Sequence, residues 1–121
     1  MKKESKFQSD LIKRLQAEFK GCIVIKNDAN YIQGIPDLLV LYKNKWAALE
    51  VKRDPKARHR PNQDYYVEKM NNMSYASFVH PFNVEFVFNS LRRLFNDEVQ
   101  QPQQLTRTAR ISKRKQLPLA K

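Results

Sequence analysis

The stretch "GIPDLLVLYKNKWAALEVKR", Gly34 to Arg53, holds two apolar runs separated by the polar triplet "KNK". Runs rich in Leu and Val on either side of a short polar break read as a β-hairpin. Three charges interrupt this apolar segment: Asp37 directly after Pro36, then Glu50 and Lys52 two residues apart. Charged side chains are seldom buried unless paired or bound to metal. The three therefore either sit at strand ends or converge on a site that needs two carboxylates and a cation.

Strand alternation decides which of them meet. In "WAALEVKR" the residues Trp46, Ala48, Glu50 and Lys52 share one face, and Ala47, Leu49 and Val51 the other. Glu50 and Lys52 are then neighbours, roughly 7 Å apart along the strand. Folding back at "KNK" brings Asp37, at the start of the first run, opposite the far end of the second. The register places Asp37 beside Glu50 and Lys52. A lone Glu-x-Lys is read most simply as a surface ion pair; Asp37 in register with it favours a built cluster.

Working outward, Phe7, Leu11, Ile12, Leu15 and Phe19 recur at helical spacing, predicting an amphipathic helix from about Lys3 to Phe19 that stops at Gly21. "CIVIKN" reads as a short strand and "DANYIQGIP" as a loop, with strands at "DLLVLY" and "WAALEVKR". "DPKARHRPN" is a charged loop, and Pro61 suits the first turn of a helix facing inward with Val67, Met70 and Met73. "YASFVH" is a fourth strand. Asn83 caps a last helix with Val84, Val87, Phe88, Leu91, Leu94 and Phe95 on one stripe. The expected class is α/β, ordered α-β-β-β-α-β-α, with a small mixed sheet flanked by helices on both faces.

A chain of 121 residues and 41% hydrophobic content suits a single domain. No apolar run approaches the roughly 18 residues of a membrane span. The basic N-terminus leads into no hydrophobic core, against a signal peptide. One cysteine, Cys22, makes no intrachain disulfide, fits a reducing compartment, and reads as core packing in "CIVI". With two histidines it is too little for a Cys/His zinc site. These features predict an intracellular protein without a membrane partner. The only glycines, Gly21 and Gly34, form no phosphate-binding loop of the P-loop type.

The net charge of +11 points to a polyanionic partner. It is unevenly spread. No acidic residue follows Glu98, while Arg107, Arg110, Lys113, Arg114, Lys115 and Lys121 carry +6 of the total. Residues 99–121, glutamine-rich and then basic, read as a separate tail behind a domain of residues 1–98.

Two carboxylates with a nearby main-chain carbonyl are hard oxygen ligands suited to Mg²⁺ or Mn²⁺. Pro36-Asp37 followed by Glu50-Val51-Lys52 resembles the PD-(D/E)XK nuclease signature. More narrowly, "GIPDLLVL", "ALEVKR" and "RPNQDYY" resemble the virus-type replication and repair nuclease branch, VRR-NUC. The matching motifs span Glu4 to Tyr66, and the tail lies outside them. The resemblance implies a restriction-endonuclease-like fold. It implies that Asp37, Glu50 and the Val51 carbonyl bind the catalytic metal while Lys52 acts on the attacking water. It further implies Glu4, on the first helix, as a metal ligand and Gln63, opening the next one, as a catalytic residue. Their plainer readings are a helix-start acid complementing the dipole and a structural first-turn glutamine.

Arg53, Lys56, Arg58 and Arg60 follow the catalytic strand and line the expected route of a phosphate backbone. The tail residues Arg107, Arg110, Lys113, Arg114 and Lys115 add electrostatic attraction. His59 reads as a phosphate-contacting or solvated loop residue, and His80 as a strand end. Trp46 is core or a site wall, and one of Tyr65 and Tyr66 packs while the other is free to stack on bases. The expected activity is metal-dependent hydrolysis of DNA phosphodiester bonds, selective for branched or four-way DNA. Small nucleases of this resemblance are often viral and dimeric, which places them in the host-cell cytoplasm and implies a homodimer joined through the outer helices. The competing expectation is a non-catalytic basic nucleic-acid-binding module.

Overall fold

The computed structural model describes residues 2–97. The domain boundary expected at residue 98, the tail, and Arg107, Arg110, Lys113, Arg114 and Lys115 lie outside the described residues. The elements run α1 (Lys2–Glu18), β1 (Ile23–Lys26), β2 (Leu38–Tyr42), β3 (Lys45–Val51), α2 (Gln63–Met73), β4 (Ala76–Val79) and α3 (Val84–Asn96). The fold is mixed α/β, with four strands in spatial order β1-β2-β3-β4 and three helices. β1–β2 and β2–β3 are antiparallel, and β3–β4 is parallel. Two antiparallel strands need only a tight turn, supplied by Lys43 and Asn44 with Lys43 at φ 58°. The parallel pair needs a crossover, and α2 provides it.

One sheet face is dry. Leu38, Val40, Ala47, Leu49, Val51 and Val79 pack there against Leu11, Leu15 and Phe19 of α1 and its extension, and against Val87, Phe88, Leu91 and Phe95 of α3. Phe19 is its aromatic centre, edge-on to Phe95 at 5.0 Å between centroids. Gly21, at φ 94°, turns the chain out of α1 towards β1. Cys22 packs against this core half-buried, its thiol facing the Leu15 carbonyl at 3.7 Å.

The second face is only partly covered. α2 lies over β3 and β4, leaving Ile23 and Ile25 of β1 exposed. This is why β3 is buried on both sides whereas β2 alternates. Trp46 stands half-buried on the α2 side. No helix among the described residues is long and apolar enough to cross a membrane.

Three expectations need correction. Pro61 precedes α2 instead of opening it: Asn62 takes a left-handed conformation, φ 70°, and the helix begins at Gln63. Met73 is exposed, because α2 ends there and turns its last side chain past the sheet edge. Asn83 precedes α3 but its side chain does not cap it. Its amide instead ties down the end of β4, accepting the His80 N–H at 2.8 Å and donating to the Phe78 carbonyl at 3.0 Å.

Candidate active site

The hairpin register pairs Leu38 with Leu49, so Asp37 and Glu50 are the next residues along the two strands. Asp37 is anchored by the main chain: its Oδ2 accepts the Val51 N–H at 2.9 Å, and its carbonyl accepts the Asn27 N–H at 2.8 Å. Glu50 sits on the α2 face of β3, paired across the parallel ladder with Phe78, and is 3% exposed. Lys52, on the same face, is 7% exposed. The sequence-derived cluster of Asp37, Glu50 and Lys52 is therefore assembled in space.

Gln63 is the hub that joins its members. Its Nε2 donates to Glu50 Oε2 at 2.7 Å, while its Oε1 accepts from Lys52 Nζ and from the Arg60 N–H, both at 2.8 Å. Lys52 Nζ also donates to the Arg58 carbonyl at 2.8 Å and stands 3.8 Å from Glu50 Oε2. The charged loop is thus folded over the lysine by its own backbone. Gln63 reaches this position because Gly34 lets Asn62 close in. A Cβ on Gly34 would lie 2.5 Å from Asn62 Cβ and 2.7 Å from its carbonyl carbon. The glycine of the "GIPD" segment therefore serves the glutamine as well as the loop.

The electrostatics are frustrated. Burial, and then the Asp37 charge, push the Glu50 carboxyl up to about 8 against the opposing pull of Lys52 and of the Asp37 main-chain N–H. Burial also raises Asp37, opposed by the Val51 N–H and Lys52. Glu50 Oε1 is buried without a hydrogen-bond partner. When protonated, Glu50 can bond to Asp37, and this contact favours the neutral form. The pair shares a proton or needs a cation; one lysine, already shared with a glutamine and a carbonyl, does not neutralise both the buried Glu50 and the half-buried Asp37.

Among the described residues, no three Asp, Glu, His or Cys side chains form a group that holds a metal ion unaided. Glu4 lines the same cleft without completing such a set. The donor chemistry nonetheless fits Mg²⁺ or Mn²⁺: one or two carboxylates and an otherwise watery shell is how small hard cations are commonly held. The orphaned Glu50 oxygen is the observation that supports this fit.

The cluster opens into a cleft of about 890 Å³ whose rim carries Arg53, Arg58, His59 and Arg60. Lys56 lies just beyond, in a neighbouring hollow that also includes Arg53 and Arg58. His59 stacks on Phe78 with centroids 4.1 Å apart and meets Asp64 at 2.7 Å, which makes it a wall of the cleft. Tyr66 is half-buried and Tyr65 exposed, their rings edge-to-face at 4.9 Å.

Two features escaped the sequence reading. The Arg58 carbonyl as a lysine acceptor leaves no trace in residue type. Phe82, highly exposed beside the basic loop, had one signal: an aromatic in the "HPFN" turn, outside every periodic stripe. Comparison with protein-family models, curated proteins and solved structures gives no match for this chain.

Proposed function

We propose that this chain is a divalent-metal-dependent nuclease of the PD-(D/E)XK type on a restriction-endonuclease-like core, cutting DNA phosphodiester bonds. The observation that carries this reading is the undercompensated pair of buried Glu50 and half-buried Asp37, with one Glu50 oxygen unsatisfied, in a basic cleft. Structural ion pairs neutralise themselves, whereas two acids sharing one committed lysine favour a bound cation, which supports this reading.

Asp37 and Glu50, with the Val51 carbonyl, would hold Mg²⁺ or Mn²⁺, which supplies a Lewis acid for the phosphate and acidifies a bound water. Lys52 commits two of its three donors, to Gln63 and to the Arg58 carbonyl, leaving one for a water or a phosphate oxygen. Gln63 fixes both Glu50 and Lys52, so it is a positioning residue. Arg53, Arg58 and Arg60 offer their charge to the flanking phosphates. Branched or four-way DNA is the preferred substrate. Among the described residues one chain offers a single such cluster, so paired incision requires a homodimer.

The test is cleavage of linear, flapped and four-way DNA in Mg²⁺ or Mn²⁺ against EDTA, beside Glu50→Gln purified identically. Metal-dependent cutting by wild type alone is expected. Normal turnover by Glu50→Gln overturns the assignment. Tight binding without cutting, on any substrate and with either metal, makes the chain a basic nucleic-acid-binding module instead.

A further inference from the structure

β3 and β4 run parallel, so their C-terminal ends emerge side by side, where ligands of α/β sheets commonly bind. The Lys52 N–H bonds to the Val79 carbonyl at 2.8 Å, and the chain then enters the turn His80–Asn83 immediately beside Lys52 and Arg53. This turn is tightly made. The His80 N–H donates to Asn83 Oδ1, the Asn83 N–H donates to the His80 carbonyl at 3.1 Å, and the Phe82 N–H donates to His80 Nδ1 at 3.2 Å. Pro81 fixes a further dihedral. At its tip Phe82 is 80% exposed. A floppy loop presenting a phenyl ring to water is unremarkable; a rigid turn doing so holds the ring ready for something.

Its surroundings say what. Phe82 lines a hollow of about 600 Å³ together with Arg53, Lys56 and Arg58 and one acid, Asp54, which stands 3.5 Å from Arg53, so cations outnumber the acid three to one. Arg53 and Arg58 also border the Asp37–Glu50 cleft, so the two depressions adjoin across these side chains. Cations flanking a flat apolar ring are the pattern that holds single-stranded nucleic acid: charges track the backbone and the ring stacks on a base. A paired base inside a duplex has no free face to offer. We infer that Phe82 is a stacking platform for an unpaired nucleobase next to the scissile phosphate, with Arg53, Lys56 and Arg58 holding the adjoining phosphates. This assigns the substrate class of the cleft as DNA with unpaired bases beside the cut, such as a flap, fork or open junction. It rests on the nuclease reading for the position of the cut, though not for the stacking itself.

The experiment uses the full chain in EDTA, so that binding is read without cleavage, and a flapped DNA carrying 2-aminopurine at successive flap positions. Wild type should quench the fluorophore at one or two positions near the branch. Phe82→Ala should abolish that quench and weaken flap binding about 5- to 100-fold while leaving duplex affinity within about twofold. Phe82→Trp should restore both. The residue is solvent-facing, so matched melting curves are expected for all three proteins. Equal loss on flap and duplex, or an unchanged quench in Phe82→Ala, overturns the platform. If the quench behaves as expected but Mg²⁺ and Mn²⁺ support no cutting, the nuclease reading fails and the platform stands.

Discussion

Carboxylates on the two faces of this sheet behave in opposite ways. Between α1 and α3, Arg14 clasps Glu85 through two bonds of 2.8 Å, and Arg92 clasps Glu18 through both of its oxygens. Those hydrogen bonds hold Glu85 and Glu18 below the usual carboxylate range. Beneath α2, Asp37 and Glu50 are held above it, chiefly by burial. The first two acids are exposed and each has an arginine of its own; Glu50, buried, and Asp37, half-buried, share one lysine that is already committed elsewhere. Complete pairs fasten helices, whereas an undercompensated acid pair is the kind of arrangement from which the proposed activity would draw.

The sharpest way to break the contrast is to neutralise each acid. Glu50→Gln and Asp37→Asn should each lower cleavage by about 10³-fold or more, with melting temperatures unchanged or raised. Turnover and thermal melts on the same preparations check this. Loss of both fold and DNA binding would make the acids structural.

Next in size is the response to pH. The folded metal-free protein keeps a proton on Glu50 that the unfolded chain releases above its ordinary value of 4.5. The folded state therefore binds more protons, and stability falls as pH rises from 4.5 to about 8. The slope has a ceiling of about 1.4 kcal/mol per pH unit for one proton. Denaturant titrations across this window should show it, with Mn²⁺ restoring stability at the alkaline end and Glu50→Gln flattening the slope. A flat wild-type profile would mean that the pair is well compensated.

The two glycines offer a matched comparison. Gly34→Ala should cost about 2 kcal/mol through strain at positive φ and collision with Asn62. It should slow cleavage about 10- to 100-fold by displacing Gln63. Gly21→Ala has similar φ but open space around it, so it should cost about 1 kcal/mol and leave cleavage alone. Equal activity losses would uncouple Asn62 from the site. Smallest of all, Arg14→Ala with Arg92→Ala should move the melting temperature by less than about 5 °C, with cutting intact.

The cluster of Asp37, Glu50 and Lys52 was legible because it depends on period-two alternation and one short turn, both local properties. The helix stripe ending at Phe95 was legible for the same reason. Gln63 was readable as a neighbour of the site but not as its hub, since that depends on a contact between Gly34 and Asn62 across 28 positions of sequence. Asn62, at this close approach, is left-handed, and the helix starts after it at Gln63 and not at Pro61. Glu4 was drawn to the cleft by resemblance, and it lines the cleft while standing outside any three-acid group. Phe82 belongs to no stripe, so periodicity was blind to it.

The consecutive order of the strands also bears on how the protein acquires its site over time. Every sheet neighbour is also the next strand in the chain, and a two-residue turn suffices to set the carboxylates side by side. Hairpins close in microseconds, so Asp37 and Glu50 meet while the chain is still largely open and hydrated. Lys52 arrives with β3, whereas Gln63 joins only when the crossover through α2 docks β4, which carries a larger loop-closure cost. The acids thus meet before the glutamine that clasps Glu50 and Lys52 is in place. Divalent cation present during refolding should therefore quicken the docking step in wild type, and should do nothing for Glu50→Gln.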